Sequence, residues 1–309
     1  RKQYHLSKDP ERIRKGKENN MAIQNKEVKN TMEMTRLEFA EKIAKTQRMV
    51  YPIGSVEQHG PHLPLGTDFM SSVGMGRELA RKMDCFLAAA CPYGVTPYQT
   101  PWPGTVTLTQ ETMVTLLLEI WGEYYRNGIR EMILVIGHEG DILPSKVAAD
   151  EAQRKFPGMR FIITEPYRNV HNLFPEFSMD HANHQEALQV MFYDMDYVVD
   201  TSLCDNPSST KTAQDEHERY RRNDIYPVMR DFREVCPSGY YGVMGQPSVE
   251  EAKHILDVIT DDCIAFINEF FEHNKSAFAV GTPENQEVLK KEENRIDKAC
   301  YKAWSGQVL

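Results

Sequence analysis

The chain has 309 residues, 41% of them hydrophobic and 26% charged, enough apolar material for one large folded unit or two small ones. Its net charge of -9 forces no basic face for a phosphate backbone, which excludes a nucleic-acid binder on composition. No run approaches the roughly 18–20 consecutive apolar residues of a membrane span.

Residues 1 to about 30 are polar and read as a solvated arm without the apolar core of a signal peptide, so the cytoplasm is the expected location. A first helix is expected over Met34–Thr46, then a short buried strand over Met49–Ile53 stopped by Gly54-Ser55. The polar loop Glu57–Thr67 leads into a helix ending near Met83, with Asp68 close to its positive start. A second apolar strand is expected in FLAAACPYG, and TPWPGTVTLT reads as a Pro/Gly turn followed by an extended segment. Glu111–Asn127 carries Met113, Leu117, Ile120 and Trp121 on one helical face and ends at Asn127-Gly128. EMILVI is a continuously apolar strand running into the loop GHEGD. A helix over Asp141–Phe156, a buried strand in RFIITEPY and a helix over Asp180–Met191 follow. Cys204–Glu234 is polar and irregular, and Ser248–His273 is a strong last helix with Ser248 and Glu251 placed for a capping box. This alternation predicts an α/β fold, a mainly parallel sheet with helices on both faces. The expected division is an arm over 1–33, one domain over 34–275 and a charged extension over 276–309. The six cysteines are scattered without a CxxC pair, as reduced core thiols are, and offer no zinc site.

Three polar clusters stand out. Gly54–Asp68 packs Glu57, His59, His62 and Asp68 into a loop directly after a buried strand. Glu57 and His59, two apart on extended backbone, project to one side. Glu, His and Asp are the donors that Zn²⁺, Mn²⁺ or Fe²⁺ accept. His138, Glu139 and Asp141 follow the apolar strand EMILVI, and parallel strands open such loops at the same sheet edge. His181, His184 and Glu186 form the third cluster, with 181 and 184 sharing a face if both are helical. One or two divalent ions fit these donors, with Asp68 the natural bridge between two.

The run Gly54-Ser55-Val56-Glu57-Gln58-His59-Gly60-Pro61-His62-Leu63-Pro64-Leu65-Gly66-Thr67-Asp68 resembles the creatininase (creatinine amidohydrolase) family pattern GSxEQHGPHLPLxTD. Further matches lie at Tyr93–Thr105 for a YGxSxxHxxFPGT-like loop, at IGHEGD for NGHGGN, at His181–Ala187 for HAGExET, and at Gly242–Pro247 for GVxGxP. Together they cover residues 48–272 in order. The resemblance implies a creatininase-like fold, a homo-oligomer of hexameric kind, and hydrolysis of a small cyclic amide or related carbonyl compound by one or two divalent ions. It implies Glu57, Asp68 and His138 around one ion and His59 and Asp68 around the other, with Glu139, His184 and Glu186 competing to complete the second. His181 matches the histidine expected to shuttle a proton, with Glu139 assisting. Thr96 and Gln99, where the family has Ser and His, are expected to meet the substrate. Trp102 and Phe177 are candidates for a flat wall over a small ring. A cyclic ketone or lactone, such as a dehydro-inosose, is the alternative substrate, and a non-catalytic scaffold of the family fold is the alternative of another class.

Overall fold

The computed structural model describes residues 28–204, 231–234 and 236–279. In chain order the helices and strands are α1 (Arg36–Ile43), β1 (Arg48–Ile53), α2 (Thr67–Met83), β2 (Phe86–Leu87), α3 (Gln110–Arg126), β3 (Glu131–Ile136), α4 (Ile142–Lys155), β4 (Arg160–Thr164), α5 (Pro166–Leu173), α6 (His184–Tyr193) and α7 (Val249–Ala279). Short 3-10 turns lie at Pro97–Gln99, Glu139–Asp141, Thr201–Leu203 and Phe232–Glu234.

Successive strand residues face opposite ways, so a strand apolar at every position needs cover on both sides. β3 meets that requirement. The order is β2-β1-β3-β4 with every pair parallel. On one face Met49, Tyr51, Ile53, Met132, Leu134 and Ile136 pack with Met113, Leu117 and Trp121 of α3 and Ala148 and Ala152 of α4. On the other, Val50, Ile133 and Val135 meet Met75 and Leu79 of α2, Leu188 and Met191 of α6, and Ile255 and Ile259 of α7. Each of these large side chains contributes roughly 1.5–3 kcal/mol by leaving water.

At the strand starts, Arg48 Nε donates to Glu131 at 2.8 Å, and Arg160 donates to the same carboxylate. Both guanidinium groups lie over the Phe271 ring, at 4.9 and 5.0 Å, and Arg160 also holds the Phe271 carbonyl. This clamps α7 across the lower end of the sheet. At the upper end, the register pairs Ile53 with Ile136, so the loops after β1 and β3 open side by side, as the sequence predicts.

Several expected elements end elsewhere. α1 is shorter than Met34–Thr46 because Thr35 and Glu38 form a full capping box that starts it at Arg36. The strand expected in FLAAACPYG pairs regularly over two residues only and then touches β1 through the single bridge Ile53–Cys91. β4 is an edge strand, partly exposed rather than buried, and the chain leaves it for α5 at Pro166, whose fixed φ suits a first helical turn. The helix expected from Asp180 begins at His184. Ala182 sits at φ 55°, outside helical space, and Asn183 caps the helix by accepting from Glu186 N–H at 3.1 Å. At the start of α7, Ser248 Oγ accepts from Glu251 N–H at 3.2 Å. Most of the expected arm, most of the Cys204–Glu234 excursion and most of the C-terminal extension lie outside the described residues. No helix among the described residues is long and apolar enough to cross a membrane.

Candidate metal centre

The site is built where two glycines let a helix approach two strand ends. A Cβ on Gly54 would stand 2.4 Å from the Phe69 backbone, and one on Gly137 would stand 2.0 Å from the Asp68 carbonyl oxygen. With neither present, the first turn of α2 drops between β1 and β3, and Asp68 arrives between the two loops. Its Oδ2 accepts from Ser55 Oγ at 2.6 Å.

Around Asp68 the three sequence clusters converge. His138 Nδ1 lies 3.3 Å from Asp68 Oδ2 and 3.4 Å from Glu57 Oε2. His59 Nε2 lies 3.2 Å from Asp68 Oδ1 and 3.6 Å from Glu186 Oε2. Two donor groups result, Glu57–Asp68–His138 and His59–Asp68–Glu186, and each takes a different oxygen of Asp68. Ligands on a tetrahedral ion at about 2.0–2.1 Å stand about 3.3–3.4 Å from one another, so both groups have the dimensions of one coordination sphere. His181 joins a third group with Glu57 and His59, its Nδ1 3.8 Å from Glu57 Oε1.

The outer contacts fix which nitrogen each ring presents. His138 Nε2 lies 3.2 Å from the Val95 carbonyl and His59 Nδ1 lies 3.1 Å from the Glu57 carbonyl. A carbonyl only accepts, so those nitrogens carry the proton and the opposite nitrogens face the carboxylates. His181 Nε2 lies 3.0 Å from the Gln58 carbonyl and 3.1 Å from the Gln58 side-chain Nε2, and its Nδ1 faces Glu57. Thr96 Oγ1 donates to Glu57, and Asp141 accepts from Val95 N–H at 2.7 Å, fixing the residue whose carbonyl holds His138.

Glu57, His59, Asp68, His138 and Asp141 are buried and Glu186 and His181 nearly so, and their charges act on one another. Burial raises Glu57, with Asp68 adding to the rise against the pull of His138. Burial pushes Glu186 up to about 7 and Asp141 up to about 6. Burial also opposes charge on Asp68, yet His59 and His138 outweigh it and hold Asp68 well below the usual carboxylate range. The same balance reversed raises His59 to about 10: burial is overcome by Asp68 and Glu186. Glu57 and then Asp68 raise His138 against its burial, while burial and then the His59 charge push His181 down. Three carboxylates gathered out of water therefore demand positive charge, which protons supply when a metal does not.

Of the residues expected from sequence, Glu57, His59, Asp68, His138, Glu186 and His181 come together. His184 does not. It is the first residue of α6, and two positions on a helix are about 200° apart, so with Glu186 turned to the site His184 faces away from it. Its Nε2 meets Glu251 at 3.4 Å and its ring stacks on Phe177. Glu139 stands at the rim, largely exposed and paired with Arg168 at 3.0 Å. Thr96 is spent on Glu57, and Gln99 lines the cavity while accepting from Gln58 at 2.8 Å. Trp102 and Phe177 are outside the lining of this cavity of about 150 Å³. Its aromatic wall is instead Tyr98, Phe232 and Tyr241, which pack together. Tyr167 and Arg168 also line it, from a helix that replaces the end of the strand expected in RFIITEPY; Pro166 after Thr164-Glu165 is the signal for that helix.

A family profile described as Creatininase: Creatinine amidohydrolase matches residues 32–267. Over 106 residues the chain is 32% identical to 3-dehydro-scyllo-inosose hydrolase of Thermotoga maritima, a stretch that spans 34% of this chain and only 34% of that relative. Creatinine amidohydrolase of Pseudomonas putida is 24% identical over 254 residues, 77% of this chain and 96% of its own. A solved creatininase superposes with a TM-score of 0.61 at 20% identity, covering 83% of this chain and 100% of that one. Creatininases of a Zn-Zn type and with Mn share the fold at TM-scores of 0.60 and 0.59.

Proposed function

The chain belongs to the creatininase family, and from that premise we propose that it is a metal-dependent hydrolase acting on a small cyclic carbonyl compound. The observation that carries this reading is the pair of donor groups that share Asp68, each ring nitrogen aimed by a backbone carbonyl on the opposite side of its imidazole. In this reading Glu57, Asp68 and His138 hold one divalent ion, and His59, Asp68 and Glu186 hold the other. The donor set suits Zn²⁺ or Mn²⁺, and Fe²⁺ by the same chemistry. Bound there, such ions supply hydroxide at neutral pH and polarise a carbonyl oxygen.

The rest of the chemistry falls to the chain's own side chains. His181, kept neutral by its burial and the neighbouring His59, faces Glu57 through Nδ1 and takes a proton and returns it to the leaving group. Glu139 steadies Arg168 at the rim. Tyr98, Phe232 and Tyr241 form the flat side of the cavity against which a small ring lies, and they exclude water from it.

The bond opened is a ring amide or, in the alternative reading, a bond of a cyclic ketone or a lactone. Similarity to an inosose hydrolase over 34% of its length and to a creatinine amidohydrolase over 96% of its own makes both worth testing. Hydrolysis of 3-dehydro-scyllo-inosose, creatinine, a formamide and a lactone, each with Zn²⁺ or Mn²⁺, separates these. Turnover of at least one with either metal is expected; a chain that takes up no divalent ion sinks the hydrolase and leaves a scaffold. Assembly as a homo-oligomer in the cytoplasm belongs to the same reading, and light scattering on purified protein tests the assembly.

A further inference from the structure

A long flexible side chain fixed from several sides at a cavity wall is ordered for a ligand before the ligand arrives. Arg168, the third residue of α5, is held in this way at the wall of the metal-site cavity. Its Nε donates to Glu165, its Nη2 donates to Glu139 at 3.0 Å, and its guanidinium lies 5.5 Å from the centre of the Tyr167 ring. Glu165 is in turn anchored by accepting from the Tyr167 hydroxyl at 2.7 Å. A guanidinium carries five N–H donors in a rigid fork. The two carboxylates take one from Nε and one from Nη2, so the edge formed by Nη1 and the rest of Nη2 has no acceptor among the described residues. That edge is not sealed off: the side chain is 39% exposed, and Nη1 is not among the buried atoms without a partner. It is within reach of a solute in the cavity that Arg168 lines.

We infer that Arg168 is a specificity-determining residue whose free N–H edge donates to a second, neutral oxygen of the substrate, a carbonyl or hydroxyl away from the carbonyl under attack. The inference rests on the reading of this cavity as the substrate site. Glu139, which Arg168 holds, directly follows His138 of the first donor group, and the cavity of about 150 Å³ has room for one small ring, so both oxygens belong to one molecule. Charge selects the neutral oxygen. One guanidinium between two carboxylates leaves a net negative charge at the rim, so a carboxylate gains little where an isolated arginine would attract it. Hydroxylated ring ketones and ring amides with a second carbonyl meet the requirement; a ring with a single oxygen does not. Arg168 lies between the motifs matched at IGHEGD and at His181–Ala187, where recognition can differ among relatives that keep the same donor set.

The test uses the Zn-loaded full-length chain and calorimetric Kd values. Imidazolidin-2-one and hydantoin differ by the second carbonyl; cyclohexanone and scyllo-inosose differ by the hydroxyls. Hydantoin-5-acetate and 3-oxocyclohexane-1-carboxylate are the carboxylated rings of the two kinds. The wild type is expected to bind the oxygen-rich member of at least one pair about 10-fold tighter or more, and the carboxylated ring of that kind no tighter than it. Arg168→Met and, independently, Arg168→Ala are expected to lose the preference at the wild-type zinc stoichiometry. Glu139→Gln keeps the arginine but removes one of its carboxylates, and is expected to tighten the carboxylated ring by about 2- to 5-fold. A wild type without preference in either pair, including one that binds no probe, overturns the inference. So does a wild type that prefers the carboxylated ring, an Arg168 variant that retains the preference, or a Glu139→Gln chain without the gain. Loss of zinc from both Arg168 variants makes the residue a structural staple and overturns it too. Preferential binding without hydrolysis of any compound would leave Arg168 its role and remove the hydrolase; hydrolysis without preference would do the reverse.

Discussion

Replacing Gly137 by alanine isolates the contact that lets Asp68 reach the site. The added Cβ would stand 2.0 Å from the Asp68 carbonyl oxygen and 2.8 Å from its carbonyl carbon, both backbone atoms with no side-chain freedom to yield. Carbon–oxygen contacts settle near 3.3–3.6 Å, so the first turn of α2 must retreat by about 1.3 Å. Overpacking of this kind costs about 1–3 kcal/mol, which lowers the Tm by roughly 2–4 °C for each kcal/mol. The larger effect falls on the site, because ligand groups hold an ion only within about 0.5 Å of their working geometry. Zn²⁺ affinity measured by chelator competition is expected to fall by at least about 10-fold. Gly66→Ala is the control, since a Cβ there meets nothing within 4 Å, and its cost should stay under about 1 kcal/mol. A Gly137→Ala chain with unchanged Tm and unchanged Zn²⁺ affinity refutes the role of this close approach.

Three further outcomes follow from the geometry. Glu131→Gln leaves Arg48 and Arg160 without their shared carboxylate at a site about seven-eighths buried, and should lower stability by about 2–4 kcal/mol in denaturant titration; a loss under about 1 kcal/mol contradicts the clamp. Thr96→Val removes the hydroxyl that donates to Glu57 and should weaken metal binding by about 10–100-fold with little change in Tm, whereas equal affinity would show that Glu57 needs no such support. In the metal-free chain the carboxylates hold His59 protonated up to about 10 and raise His138, so a proton occupies each nitrogen that a metal requires. Metal uptake near pH 7 must therefore expel protons, and affinity rises with pH toward 10; calorimetry in two buffers of different ionisation heat should find more than about one proton released per chain, and finding none contradicts it.

The sheet was legible because β1 and β3 are apolar at every position but their first, which only a strand covered on both faces tolerates. The convergence at Asp68 followed from the same fact, since parallel neighbours open their loops at one edge. What the sequence did not disclose turns on single backbone or packing events. Ala182 in left-handed space shifts the start of α6 and so decides between Glu186 and His184; the Asn183-x-x-Glu186 spacing of a helix cap was the signal for that start. The aromatic wall comes from Tyr98, Phe232 and Tyr241, residues distant in sequence that meet only after folding, whereas Trp102, the more obvious ring, packs beside Gly239. Tyr167 and Arg168 reach the cavity from the start of a helix that short-range periodicity could not separate from β4.

The central claim is that Asp68 bridges two divalent ions. Anomalous diffraction from crystals grown with Mn²⁺ or Zn²⁺ tests it directly. Two peaks about 3.5–4 Å apart are expected, one among Glu57, Asp68 and His138 and the other among His59, Asp68 and Glu186. A single peak, or one held by His184 or Glu139 in place of Glu186, would contradict it.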